Sequence, residues 1–151
     1  MTEQRLLFDA NAIYRLIREC PEKAIEMLME GTTISLAYYE LGNALWREAH
    51  LLKRISIEEA EKSLSLMYAM LVRMQLVEVD GEQGIEILQT AHKCNLTFYD
   101  STYLAEAKKT SKIILTDDNK LAKAAEILGI ETLSSNTLTA SHWQTKKRSN
   151  P

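Results

Sequence analysis

The sequence predicts an α/β domain: a three-layer α/β/α sandwich around a central parallel sheet of four to five short strands. Three observations carry this. Short apolar runs recur along the 151 residues, separated by stretches of helical periodicity, which is the alternation of parallel strands with crossover helices. The runs are apolar without polar alternation, as strands covered on both faces are. The chain holds only 5 Gly and 2 Pro, which suits long helices with short connections better than a β-sandwich. With 46% hydrophobic residues, the composition supports the core of one ordinary domain rather than a disordered chain.

The elements follow in order. Arg5-Leu6-Leu7-Phe8 is the first strand and stops at Asp9. Ile13, Leu16 and Ile17 then share one helical face. Pro21 suits the first turn of a new helix with Ala24, Ile25 and Leu28 facing inward, ended by Gly31. Thr32-Thr33-Ile34-Ser35 is a second strand. Ala37, Leu41, Ala44 and Leu45 continue at helical spacing and place Glu40 within a helix. Ser56-Ile57-Glu58-Glu59 is a capping box, opening a long helix with Ala60, Leu64, Met67, Leu71 and Met74. Val77-Glu78-Val79 reads as a third strand, and Asp80 caps a helix with Ile87, Leu88 and Ala91. Leu96-Thr97-Phe98-Tyr99 is a further strand-like run ending at Asp100, ahead of a helix with Tyr103, Leu104 and Ala107. Lys112 to Thr116 is the fourth strand, stopping at Asp117-Asp118. The last helix carries Leu121, Ala124, Ala125 and Leu128 and ends at Gly129, and Ile130-Glu131-Thr132 reads as a short fifth strand. Crossovers are expected to be right-handed. The domain is placed at residues 1–133. Residues 134–151 turn polar and read as a partly disordered C-terminal tail, with Ser141 to Pro151 its loose end.

Bulk properties exclude some classes. A net charge of −3 is not that of a uniformly basic nucleic-acid binder. A local basic strip stays open, from Arg47, Lys53, Arg54, Lys112, Lys120 and Lys123, or these residues simply solvate helix faces. Cys20 and Cys94 lie far apart with no CxxC, which points to a reducing, cytoplasmic setting. His50, His92 and His142 show no zinc spacing. No signal-peptide pattern and no membrane-length apolar run is present.

The acids are the chemical signal. Asp9, Asp100 and Asp117-Asp118 follow separate apolar runs, and Glu40 follows another by about one helical turn. Groups just beyond the carboxyl ends of parallel strands line the crevice where open α/β sheets bind ligands. Carboxylates that converge there repel unless protonated or neutralised by a cation. Each acid also has a structural explanation, because Asp is favoured as a helix cap, and Asp100 suits a capping box begun by Thr97. Capping alone, however, accepts Ser, Thr or Asn equally, and one carboxylate can both cap and bind a metal. Oxygen ligands without His or Cys favour Mg²⁺ or Mn²⁺ over Zn²⁺. No GxxxxGK[ST] loop and no GxGxxG follow the first strand, which sets aside P-loop and dinucleotide chemistry.

These residues resemble the PIN domain, and in particular the VapC-type toxin ribonucleases. Leu7-Phe8-Asp9-Ala10-Asn11 looks like the family's opening strand with its D-x-[NST] signature. Tyr39-Glu40-Leu41-Gly42-Asn43-Ala44-Leu45 is similar to its E-x-x-N helix. Phe98-Tyr99-Asp100-Ser101-Thr102-Tyr103-Leu104-Ala105 matches the YDxxYLA block, with Ser101 where Ala is frequent. Leu115-Thr116-Asp117-Asp118-Asn119-Lys120-Leu121-Ala122-Lys123-Ala124-Ala125 matches TxDxxLxxAA, with Gly129-Ile130 trailing it. The match spans about Arg5 to Leu133.

The resemblance implies a metal-dependent endoribonuclease that leaves a 5′-phosphate and a 3′-hydroxyl, with Mg²⁺ as cofactor and Mn²⁺ as substitute. Carried over by position, the four acids are Asp9, Glu40, Asp100 and Asp118, with Glu40 either a ligand or an orienter of water. Asp117 occupies the variable slot. Asn11, Asn43 and Thr116 would orient carboxylates or bond locally to the backbone. Arg47, Lys112 and Lys120 would contact RNA phosphates. Lys146-Lys147-Arg148 would do so as well, or form a solvated terminus. A homodimer and a cognate antitoxin are the expected partners. The antitoxin would pack against Tyr14, Leu45, Trp46, Leu51 and Leu52, or these are ordinary core. An alternative stays open: a non-catalytic PIN-like module that binds RNA or protein, with its acids serving only as caps. A phosphatase or receiver-like phosphoacceptor is ranked lower, since Asn11 stands where the haloacid dehalogenase type wants a second Asp.

Overall fold

A computed structural model describes residues 5–140. Five parallel strands form the sheet: β1 (Leu6–Phe8), β2 (Thr32–Ile34), β3 (Gln75–Val77), β4 (Ile113–Leu115) and β5 (Thr132–Leu133), in the order β3-β2-β1-β4-β5. The order reverses at β1, so the chain winds outward both ways from its first strand. That makes the carboxyl ends of β1 and its neighbours a topological switch point.

Side-chain alternation along the strands builds two cores. Leu6, Phe8, Ile113 and Leu115 face one side, against α1 (Ala10–Glu19), α2 (Pro21–Leu28), α3 (Ala37–Trp46) and α4 (Ile57–Leu71). Leu7, Ile34 and Ile114 face the other, against Tyr103, Leu104 and Ala107 of α6 (Phe98–Thr110) and Leu121, Ala124 and Ala125 of α7 (Asn119–Ile127). The helix α5 (Gly81–Cys94) packs on α6. The three layers are those the sequence predicts. Each buried Leu or Ile side chain contributes about 1.5–3 kcal/mol.

Local signals placed most boundaries. Ser56 and Glu59 form the reciprocal capping box at α4. Asp80 and Gln83 do the same for α5. Pro21 occupies the first turn of α2. Gly31 matters for space rather than for turn conformation: a Cβ there would overlap the Phe8 ring. Gly129, by contrast, takes a left-handed φ of +71° after α7.

Several expectations shift. The third strand is Gln75–Val77, not Val77–Val79, because Thr32, Thr33 and Ile34 pair with residues 75–77. Leu96–Tyr99 is no strand. Thr97 caps α6, and Phe98 and Tyr99 fill its first turn. The fifth strand is Thr132–Leu133, two residues later than Ile130. Ile25 and Leu88 point outward, 44% and 62% exposed. Met27 takes the inward place on α2. Packed structure also runs past Leu133: residues 135–140 are helical, Ser135 is buried and Leu138 packs on the first core. Ser141–Pro151, with Lys146-Lys147-Arg148 and His142, lie outside the described residues.

Between α3 and α4 the chain makes a π-helical turn, Arg47–Leu51. Leu45 is core and Tyr14 packs against it. Trp46, Leu51 and Leu52 are 49%, 56% and 43% exposed, with Trp46 stacked on His50 at 5.4 Å.

Candidate active site

Two strand ends and two helices deliver the acids. Asp9 follows β1 and caps α1, its Oδ1 accepting from the Ala12 amide at 2.7 Å. Its Oδ2 accepts from the Thr116 hydroxyl, just past β4. The Thr116 oxygen in turn accepts from the Asp118 amide at 3.0 Å. Asp118 caps α7 through the Leu121 amide at 2.9 Å. Thr116 therefore ties two strand-end acids together, as an orienting hydroxyl should.

Glu40 lies in the first turn of α3, and its Oε1 accepts from the Tyr103 hydroxyl at 2.8 Å. Asp100 stands in the first turn of α6. Its backbone amide donates to the Thr97 hydroxyl at 3.1 Å, and among the described residues its carboxylate takes no hydrogen bond. The reciprocal half of the expected capping box is not made, and the carboxylate instead lines an open cleft of about 490 Å³ with Glu40, Asn43, Tyr39 and Tyr99.

The charges interact. Burial pushes the Asp9 carboxyl up to about 7, reinforced by the neighbouring Glu40 and Asp117, while the bonds from Thr116 and Ala12 pull it down. Glu40 is raised by burial and by Asp100, and lowered by Tyr103. Tyr103 itself is held well above its ordinary value by burial and then by Glu40. Asp9, Glu40 and Asp100 thus form a chain of mutually repelling carboxylates.

Among the described residues no three acids close into a ready coordination group. The donor chemistry nevertheless fits a hard cation: the cleft offers carboxylate, amide and hydroxyl oxygens and no His or Cys. Mg²⁺ needs only one or two carboxylates directly, and the electrostatically coupled pairs Asp9–Glu40 and Glu40–Asp100 are the candidates among these residues.

The remaining candidates separate. Asn43 lines the cleft, and Asn11 is exposed on α1. Asp117 acts on Asp9 through its charge, while its own carboxylate is engaged by other partners. Its Oδ1 accepts from the Ser135 amide at 2.9 Å, and its Oδ2 lies 3.7 Å from Arg15. Arg47 is exposed two helical turns beyond Glu40, and Lys120 is exposed beside Asp118. Lys112 precedes β4 and shares a hollow with Arg5 and Ser111 at the amino edge of the sheet. That is the end away from the carboxylates, so Lys112 does not belong to this site. Tyr103 and Arg15 are what sequence reading missed. Tyr103 read as apolar helix face, although its spacing of three from Asp100 places both on one side of α6.

Fold and site define a class: an open parallel-sheet domain with an anionic crevice at its switch point, suited to phosphate-ester chemistry. The chain belongs to the PIN domain family, whose model matches residues 6–127. It is 32% identical over 128 residues to the exonuclease VapC9 of Pyrobaculum aerophilum, covering 84% of this chain and 91% of that one. It is also 32% identical over 126 residues to ribonuclease VapC3 of the same organism, covering 79% and 93%. The crystal structure of PAE2754 from Pyrobaculum aerophilum superposes with a TM-score of 0.75 at 28% identity, covering 91% of this chain and 95% of that one.

Proposed function

We propose that the chain is a metal-dependent endoribonuclease that hydrolyses RNA phosphodiester bonds as the toxin of a toxin–antitoxin pair. The observation that carries the reading is Asp9. It is only 5% exposed, and its carboxyl is pushed up to about 7 by burial, reinforced by the charges of Glu40 and Asp117. A helix cap has no need of this, since Asn or Ser caps as well without a buried charge. The names of the VapC relatives point the same way.

Asp9 and Glu40 would hold a Mg²⁺ or Mn²⁺ ion, with Asp100 and Asp118 completing the acidic set. When bound, such an ion neutralises charge on the scissile phosphate and acidifies a water. The chain's own residues do the positioning. Thr116 fixes the Asp9 carboxylate and Tyr103 fixes Glu40. Asn43 presents an amide to the cleft. Arg47 and Lys120 would meet phosphates, so binding should weaken with salt. The exposed Trp46, Leu51 and Leu52 would receive the antitoxin. A homodimer in the cytoplasm completes the reading. The two free cysteines agree with a reducing compartment, and no helix among the described residues is long and apolar enough to cross a membrane.

A circular single-stranded RNA tests the activity, because a substrate without ends is cut only by an endonuclease. Linearisation that needs Mg²⁺ or Mn²⁺ is the expected result. Digestion confined to linear RNA would reassign the chain to exonucleolytic chemistry.

A second reading has its own observation: Asp9 and Asp118 both cap helices, as an inert binding module requires. Thermal unfolding separates the two. In the nuclease, Mg²⁺ raises Tm and Asp118→Asn blunts the rise. In the module, neither version responds to metal.

A further inference from the structure

We infer that the groove adjoining the acidic cleft is a subsite for one unpaired nucleobase, selective for bases with an exocyclic amino group. The inference rests on the nuclease reading and specifies the substrate of that site. A second cleft of about 350 Å³, lined by Leu36, Glu78, Val79, Phe98, Tyr99 and Thr102 among others, shares Leu36 and Tyr99 with the cleft that holds Glu40 and Asp100. The two clefts adjoin each other across Leu36 and Tyr99.

Two features of the groove identify the occupant. The first is aromatic exposure: Tyr39, Tyr99 and Phe98 are 77%, 60% and 42% exposed, and all lie on this groove. Clustered exposed aromatics mark contact surfaces, and single-stranded nucleic acids stack their bases on such rings. The second is charge. Glu78, Glu40 and Asp100 rim the groove, and none has an ion-pair partner among the described residues. Without a cation this rim repels phosphate, so the part of a strand that settles beside Tyr99 is the flat, neutral base. Glu78 lines the second cleft and not the acidic one. An unpaired carboxylate there accepts hydrogen bonds from an amino group such as cytosine N4, which uracil lacks.

The test is fluorescence anisotropy of labelled hexacytidylate and hexauridylate with the full chain in EDTA, where cleavage does not interfere. Hexacytidylate is expected to bind about tenfold tighter than hexauridylate, the discrimination of a good base-edge contact. Glu78→Gln should erase that preference. Tyr99→Ala should weaken both oligomers by about tenfold, as loss of one stacking platform does, and its exposure lets the variant fold, checked by an unchanged circular dichroism melt. Equal affinity for the two oligomers, or a Tyr99→Ala variant that binds like the parent, overturns the subsite. Failure of both oligomers to bind overturns it as well. Loss of the nuclease reading shows separately, as a parent chain that cuts no RNA with Mg²⁺ whatever the binding results.

Discussion

The two walls of the acidic crevice are built differently. One wall is the sheet edge, where Asp9, Thr116 and Asp118 sit directly after β1 and β4, bonded to each other's neighbourhood and to helix amides. The other is made of helix side chains, Glu40 on α3 and Asp100 on α6, half-buried and, among the described residues, held by one bond from Tyr103 or by none. The sheet-edge acids are employed twice, as caps and as charges, so changing them mixes folding with chemistry. The helix acids carry no cap through their carboxylates, and changes there report chemistry almost alone.

Asp100→Asn therefore gives the largest and cleanest effect. RNA cleavage should fall about a thousandfold or more, on the scale of several kcal/mol of transition-state charge stabilisation, while the thermal melt stays put. A variant that cuts normally removes Asp100 from the reaction and breaks the division between the walls.

Tyr103→Phe comes next. It frees Glu40 without emptying the core, since the ring is buried on every side. Loss of such an outer partner typically weakens metal affinity by about 10–100-fold. Titrating Mn²⁺ against cleavage rate reads this as a rightward shift with the maximal rate largely retained. A lowered maximum at unchanged metal dependence would mean that Tyr103 touches substrate instead.

Asp9→Asn should act oppositely on stability and activity. Asp9 has a folded-state value of about 7, above its ordinary 3.8, so the folded chain binds a proton more tightly than the unfolded one. Its contribution is most favourable below about pH 4 and declines as pH rises toward 7. Above that it is a constant penalty in metal-free protein. Asparagine keeps the cap and removes the penalty. In EDTA at pH 8 the variant should be more stable by up to about 4 kcal/mol, while cleavage is lost. A destabilised variant would show that the carboxylate is needed for folding.

The smallest effect concerns Ser101, next to Asp100 but facing inward. Its hydroxyl is fully buried with no hydrogen-bond partner among the described residues. Ser101→Ala removes an unsatisfied polar group, worth about 1 kcal/mol, and should raise Tm without altering cleavage. A drop in activity would connect the inner face of α6 to the site.

Much of this was legible in the chain. The apolar runs at Leu6–Phe8 and Ile113–Leu115, the capping residues Ser56 and Asp80 and the acids after the strands all obey local rules. The misreadings share a cause. Leu96–Tyr99 is apolar enough for a strand, but Thr97 caps and Phe98 and Tyr99 face the groove, so their apolarity serves a surface rather than a sheet. Strand β3 slid by two residues because its register is set by pairing with β2, a contact far away in sequence. Lys112 read as a phosphate contact from its charge, and only the strand direction puts it at the wrong end.

By itself the sequence determined the layer order and the placing of acids after strands and in the first turns of helices, because periodicity, caps and motif spacing are properties of short segments. The tertiary structure alone decided which acids face each other, that Tyr103 holds Glu40 across 63 positions of chain, and that Asp9 is buried deeply enough to resist ionisation. Those outcomes depend on desolvation and on distances between segments remote in sequence, and neither quantity is encoded in any single window of residues.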